Sequence, residues 1–174
     1  MKRDNIIHTQ LYSSPCGKLL LGSFGSRLCL CDWISTSQQK LTEKKLECFL
    51  QACIEESPSE ITIAAAKQLD EYFARKRQSF DLPLLFVGTD FQKDVWNALL
   101  KISFGKTESY GWLADKIDRP KAVRAVGTAD GANRISIFIP CHRIIGSGGK
   151  LVGYRGGLPA KRYLLELEGS QLKF

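Results

Sequence analysis

The chain has 174 residues, 44% of them hydrophobic and 25% charged, with a formal net charge of +7. That is the composition of a soluble globular protein of one large or two small domains. No apolar run is long enough to span a bilayer and the N-terminus MKRDNIIHTQ lacks an apolar signal core, so a cytoplasmic or nucleoid location is expected.

The six cysteines read as thiols, because a cytoplasmic chain of this size builds its own core and needs no disulfide framework. A structural zinc is not expected: there are two histidines and no CxxC pair. The charge is unevenly placed. Residues 1–90 hold 11 Lys+Arg and 11 Asp+Glu, whereas residues 91–174 hold 14 and 7, so the whole excess lies in the second half. A basic half points to a polyanionic partner.

In chain order, IIHTQLY, KLLLGSF and RLCLCDW read as three strands of a meander, with SSPCG and GS as the turns. Cys29 and Cys31, two apart, are expected on one strand face with Trp33. LTEKKLECFLQACI reads as a helix with Leu46, Phe49, Leu50 and Cys53 at helical spacing. TIAAAKQLDEYFARKRQ reads as a second helix burying Leu69, Tyr72 and Phe73. SFDLPLLFVG, with Pro83, is an extended connector that places the domain boundary, giving domains 1–84 and 85–174.

TDFQKDVWNALLKI opens the second domain as a helix capped by Thr89 or Asp90, with Phe91, Val95, Leu99 and Ile102 in one stripe. Two short helical segments, SYGWLADKI and KAVRAVGTADGAN, are joined across DRP as a helix-turn-helix. The second carries almost no side-chain bulk: Ala122, Ala125, Gly127, Ala129, Gly131 and Ala132 allow close approach, either to neighbouring elements or to a ligand backbone. Arg124 is the exception on that surface.

In SIFIPCHRIIGSGGKLVGYRGG the run before Pro140 reads as a buried strand with Ile135, Ile137 and Ile139 on one face. Cys141 then sits where a strand leaves the core, before turns at Gly146–Gly149 and Gly153–Gly157. Taken alone, a cysteine there is most often a small buried hydrophobe; placed on the floor of a glycine-lined pocket, it is a candidate nucleophile.

The segments FQKDVWNALLKISFGKTESYGWLA, RAVGTADGAN and IPCHRIIGSGGKLVGYRGGLPAKRYLLELEG, in this order, resemble the O6-alkylguanine-DNA alkyltransferases. The resemblance runs from about Ile63 to Gly169. It implies an α/β protein: a small N-terminal sheet-and-helix domain of ribonuclease-H-like type, then a mostly helical domain with a helix-turn-helix. It implies repair by single-turnover transfer of an alkyl group from O6-alkylguanine to the protein's own Cys141, with no cofactor and no metal, and leaves O4-alkylthymine open as a further substrate. The partner it implies is double-stranded DNA containing alkylated guanine, bound by a monomer.

By the same resemblance His142 activates Cys141 through water and is oriented by Glu168. Asn133 stabilises the active-site turn and Tyr110 donates a proton to the leaving guanine. Ile144, Tyr154 and Arg155 belong to the guanine pocket. Arg124, Ala122, Ala125 and Gly127 belong to the DNA-binding helix, where Arg124 fills the space of a flipped nucleotide. Four positions depart from the family pattern: Ser103, Asp130, Arg134 and Arg155. Asp130 places a carboxyl group where a neutral side chain is usual. A lesion-flagging binding module would lack the cysteine, and a methylation-sensing regulator would need an added zinc domain that is not visible. A cysteine hydrolase is separable by the kinetics of alkyl transfer.

Overall fold

The computed structural model describes residues 5–35 and 38–170. The chain forms two compact units that divide between Val87 and Gly88.

The first unit is built on a four-stranded sheet in the order β3-β2-β1-β4. Strands β1 (Ile6–Ser14), β2 (Gly17–Phe24) and β3 (Arg27–Trp33) are the antiparallel meander of the sequence reading. Two-residue turns join them, and Gly25 takes the left-handed conformation (φ 58°) that a tight hairpin turn demands. Helix α1 (Gln39–Leu50) crosses over to β4 (Cys53–Glu56), which pairs parallel to β1. Leu46 of α1 is buried in a cluster with Ile7, Leu20, Cys29, Leu30 and Ala52, each such apolar side chain contributing about 1.5–3 kcal/mol. Helix α2 (Glu60–Phe73) starts with a Ser59–Thr62 capping box and buries Leu69 and Tyr72. Asp70 of α2 accepts a hydrogen bond from Tyr12 of β1 at 2.7 Å.

Two expectations fail in this unit. Cys53 does not extend the helical stripe: Gln51, in the left-handed region at φ 50°, ends α1, and Cys53 opens β4 exposed to solvent, as is Phe49. Cys29 and Cys31 do not share a face. A register shift between Gly22 and Ser23 sets Cys29 into the α1-side cluster, while Cys31, opposite Leu21, lies beside Tyr12. All six cysteines are free thiols. The connector reaches back to the sheet, with Leu84 bridging Leu28 and Leu85 and Val87 packing against the cluster, so these residues stay with the first unit.

The second unit is mostly helical. Helix α3 (Asp90–Leu99) begins with a Thr89–Gln92 capping box and buries Val95, Trp96 and Leu99. Strand β5 (Glu108–Ser109) leads into α4 (Tyr110–Lys116), which Ser109 caps. Residues 117–122 turn the chain into α5 (Val123–Gly131). The Trp96 indole donates to the Ala129 carbonyl at 2.9 Å and locks α5 onto α3. A 3₁₀ turn at Cys141–Arg143 precedes β6 (Ile144–Ile145), which pairs parallel to β5. Helix α6 (Leu158–Leu167) follows a glycine-rich segment, its entry set by Gly157 at φ 86°.

The expected strand before Cys141 is instead a tight buried turn. Ile139 N–H donates to the Ile135 carbonyl at 2.9 Å and Phe138 N–H to the Ser136 carbonyl at 2.9 Å. Ile137 sits at φ 72°, a costly conformation for a β-branched residue. Continuous apolar patterning records burial; here the burial is that of a turn. Among the described residues no helix is long and apolar enough to cross a membrane.

Candidate active site

Asn133, just past the end of α5, braces this turn. Its side-chain oxygen accepts from Ile135 N–H at 2.9 Å, and its amide nitrogen donates to the Ile139 carbonyl at 3.0 Å and to Cys141 Sγ at 3.2 Å. One buried side chain thus satisfies backbone groups on both sides of the strained Ile137 and holds the sulfur in place. Cys141 is 4% exposed and sits in the 3₁₀ turn rather than at a strand end. Burial and, after it, the nearby Asp130 push its thiol up to about 12, against the opposing Asn133 hydrogen bond and the charge of Lys161. In the unliganded protein the sulfur is a neutral thiol.

The next two residues close a buried charge cluster with Glu168, the residue that ends α6. His142 Nε2 lies 2.7 Å from Glu168 Oε1. Arg143 grips the same carboxylate twice, Nε to Oε2 and Nη2 to Oε1, both at 2.9 Å. Its remaining amino group donates to the Ile102 carbonyl at 2.6 Å. Gly105 N–H adds a bond to Glu168 Oε2 at 3.2 Å. Burial alone would raise the Glu168 carboxyl, but the hydrogen bonds from His142 and Arg143 and the charge of Arg143 outweigh it and hold it well below the usual carboxylate range. Burial, with Arg143 and Lys161 adding to it and Glu168 opposing, holds His142 below the usual imidazole range. A neutral imidazole beside an ionised carboxylate carries its proton on Nε2. Nδ1, buried and without a partner among the described residues, is then available as an acceptor.

Cys141 opens onto a pocket of about 180 Å³ lined also by Tyr110, Gly127, Asp130, Gly131, Gly153, Tyr154 and Arg155. Tyr110 comes from the first turn of α4. Burial, then the nearby Asp130 and Cys141, push its phenol up to about 12, so it is a hydrogen-bond donor at any physiological pH. A Cβ at Gly127 would rest in ordinary contact, 3.6 Å from the Tyr110 ring. Ile144 is fully buried in β6 and its N–H donates to the Cys141 carbonyl.

The sequence reading missed Lys161. It is fully buried, with Nζ donating to the carbonyls of Val152 and Gly153 at 3.0 and 3.2 Å, so it ties the glycine-rich segment to α6. Its spacing was the available signal, because Lys161, Leu164, Leu165 and Glu168 form one helical stripe.

The outer face of α5 is bare. Arg124 and Ala125 are exposed, Ala122 and Gly127 half-buried, and nothing approaches the position of a Cβ on Gly131. Among the described residues the Arg124 guanidinium has no ion-pair partner, so it is not spent on Asp118. Among them, too, no cluster of three or more His, Cys, Asp or Glu is arranged to hold a metal.

Two family models match, described as the 6-O-methylguanine DNA methyltransferase ribonuclease-like domain over residues 7–86 and its DNA-binding domain over residues 90–170. A methylated-DNA–protein-cysteine methyltransferase of Mycobacterium tuberculosis is 44% identical over 167 residues, covering 95% of this chain and 94% of that one. One of Methanosarcina acetivorans is 55% identical over 106 residues, covering 61% and 68%. The crystal structure of Mycobacterium tuberculosis OGT in complex with DNA is similar at a TM-score of 0.77 and 41% identity, covering 94% and 92%.

Proposed function

The chain belongs to the 6-O-methylguanine DNA methyltransferase family, and from that premise we propose that Cys141 is the residue on which it accepts the alkyl group of O6-alkylguanine in duplex DNA. It is a DNA-repair protein that transfers an alkyl group from DNA to one of its own cysteines.

The sulfur forms a bond to the alkyl carbon as the bond from that carbon to guanine O6 breaks, the electron pair staying with the base. The thiol proton passes through a bridging water to His142 Nδ1, Tyr110 gives its phenol proton to the departing guanine, and the proton held on His142 returns to the Tyr110 oxygen through solvent. The products are a thioether and unmodified guanine. A thioether is not hydrolysed under mild conditions, so each molecule acts once and needs no cofactor.

The observation that carries this reading is the buried Cys141 on a small pocket, its sulfur held by Asn133, directly followed by a neutral His142 with a vacant acceptor nitrogen. Tyr154, Ile144 and Arg155 surround the base.

A target atom inside stacked DNA is out of reach, so the nucleotide is flipped out. Helices α4 and α5 act as a helix-turn-helix, with the smooth face of α5 at Ala122, Ala125 and Gly127 against the DNA and Arg124 in the vacated space. The first unit is the ribonuclease-H-like domain. The protein works as a cytoplasmic monomer.

Incubation with duplex DNA carrying O6-methylguanine, followed by intact and peptide mass measurement, tests the reading. One added methyl group on the Cys141 peptide, and none in Cys141→Ser, is expected. Repeated turnover, or modification elsewhere with Cys141 untouched, overturns it.

A further inference from the structure

Asp130 departs from the family pattern, and the reaction just described gives it no task. It lies in the last turn of α5, 7% exposed, with Oδ1 buried and without a hydrogen-bond partner among the described residues. It lines the pocket onto which the Cys141 thiol opens.

The titratable and charged groups around it come from every neighbouring element. They are Tyr110 at the start of α4, Cys141 in the 3₁₀ turn, Lys161 of α6 and Arg155 in the glycine-rich segment. The α3 residue that reaches this turn is the uncharged Trp96. Lys161 is the cation that favours both a carboxylate at Asp130 and a thiolate at Cys141. Two anions therefore compete for one buried positive charge.

Resting on the assignment of Cys141 as the acceptor, we propose that Asp130 sets the reactivity of Cys141 by its own charge: as a carboxylate in the pocket wall it opposes the negative charge the sulfur must acquire, and as a carboxylic acid it releases that opposition. A like charge in a site shielded from water is a strong lever. Burial raises the Asp130 carboxyl to about 7, with Lys161 opposing, so the lever moves at physiological pH.

The test is the pH profile of Cys141 alkylation by iodoacetamide, located by peptide mass, in the full chain and in Asp130→Asn. The midpoint in Asp130→Asn is expected to fall by about one pH unit, raising the rate near pH 8 by up to about tenfold. An unchanged or upward-moved profile in folded Asp130→Asn overturns the inference. Should that variant not fold, carboxyl carbon NMR of the unaltered protein decides: a midpoint for Asp130 near 7 supports the inference, and one at the ordinary value of about 3.9 overturns it. Because the probe needs no DNA, a shifted iodoacetamide profile without any methyl transfer from O6-methylguanine would leave this inference standing and remove the proposed function.

Discussion

Asn133 donates one amide nitrogen to both the Ile139 carbonyl and the sulfur of Cys141, at 3.0 and 3.2 Å. The group that holds the turn is therefore the group that holds the thiol. Asn133→Ala leaves Ile135 N–H buried without a partner and leaves the Ile139 carbonyl with the Cys141 N–H alone. It should lower stability by about 2 kcal/mol or more in urea unfolding. It should also raise the thiol midpoint, since the lost bond favours the thiolate. Full stability with a lowered midpoint would contradict this.

Glu168→Gln keeps the shape but removes the carboxylate that Arg143 and His142 share. Methyl transfer should slow while affinity for undamaged duplex stays nearly intact. Stability should fall by about 3–5 kcal/mol, because the Arg143 charge is left buried without its partner. An unchanged single-turnover rate would assign thiol activation to the positive charges of Arg143 and Lys161 instead.

The same cluster sets an acid limit. The carboxyl of Glu168 is depressed in the folded state, so its stabilisation is present above the unfolded value of about 4.3 and is lost as pH falls below it. His142 is depressed as well. The unfolded chain takes up its proton first, and stability declines as pH falls through about 6.5. Denaturant unfolding between pH 7 and pH 3 should show both declines, and Glu168→Gln should lack the lower one. Stability that rises on acidification would refute the assignment.

The second half carries 14 Lys+Arg against 7 Asp+Glu. Binding to undamaged duplex should weaken roughly 100-fold between about 50 and 200 mM salt if four phosphates are contacted. Fluorescence anisotropy would measure this, and a flat response would mean that the basic half serves another purpose.

Arg124 projects from the bare face of α5 without an ion-pair partner among the described residues. Arg124→Ala should cut repair of duplex DNA at least tenfold, since opening the stack costs about a few kcal/mol. Reaction with free O6-benzylguanine, which needs no flipping, should barely change. Equal loss on both substrates, or a large fall in Tm, would give Arg124 a structural role.

Much of this molecule was legible in its sequence, because the governing interactions are local. The hairpin turns, the Ser59 and Thr89 caps and the helical stripe of α3 act over a few residues, and each leaves a pattern in residue type. The motif around Cys141 named the candidate site residues by resemblance. Long-range packing decided the rest. Whether α1 ran on through Cys53 depended on β4 pairing with β1, some 47 residues away in the chain (Ile6 with Cys53, for instance). Whether Ile135–Ile139 was strand or turn depended on Asn133 offering bonds that compensate a left-handed isoleucine. The partners of Arg143 and Lys161, Glu168 and the carbonyls of Val152 and Gly153, are brought to them only by the fold. Residue spacing does not say which buried charges face one another, so only the tertiary structure could set Asp130 and Cys141 against one another.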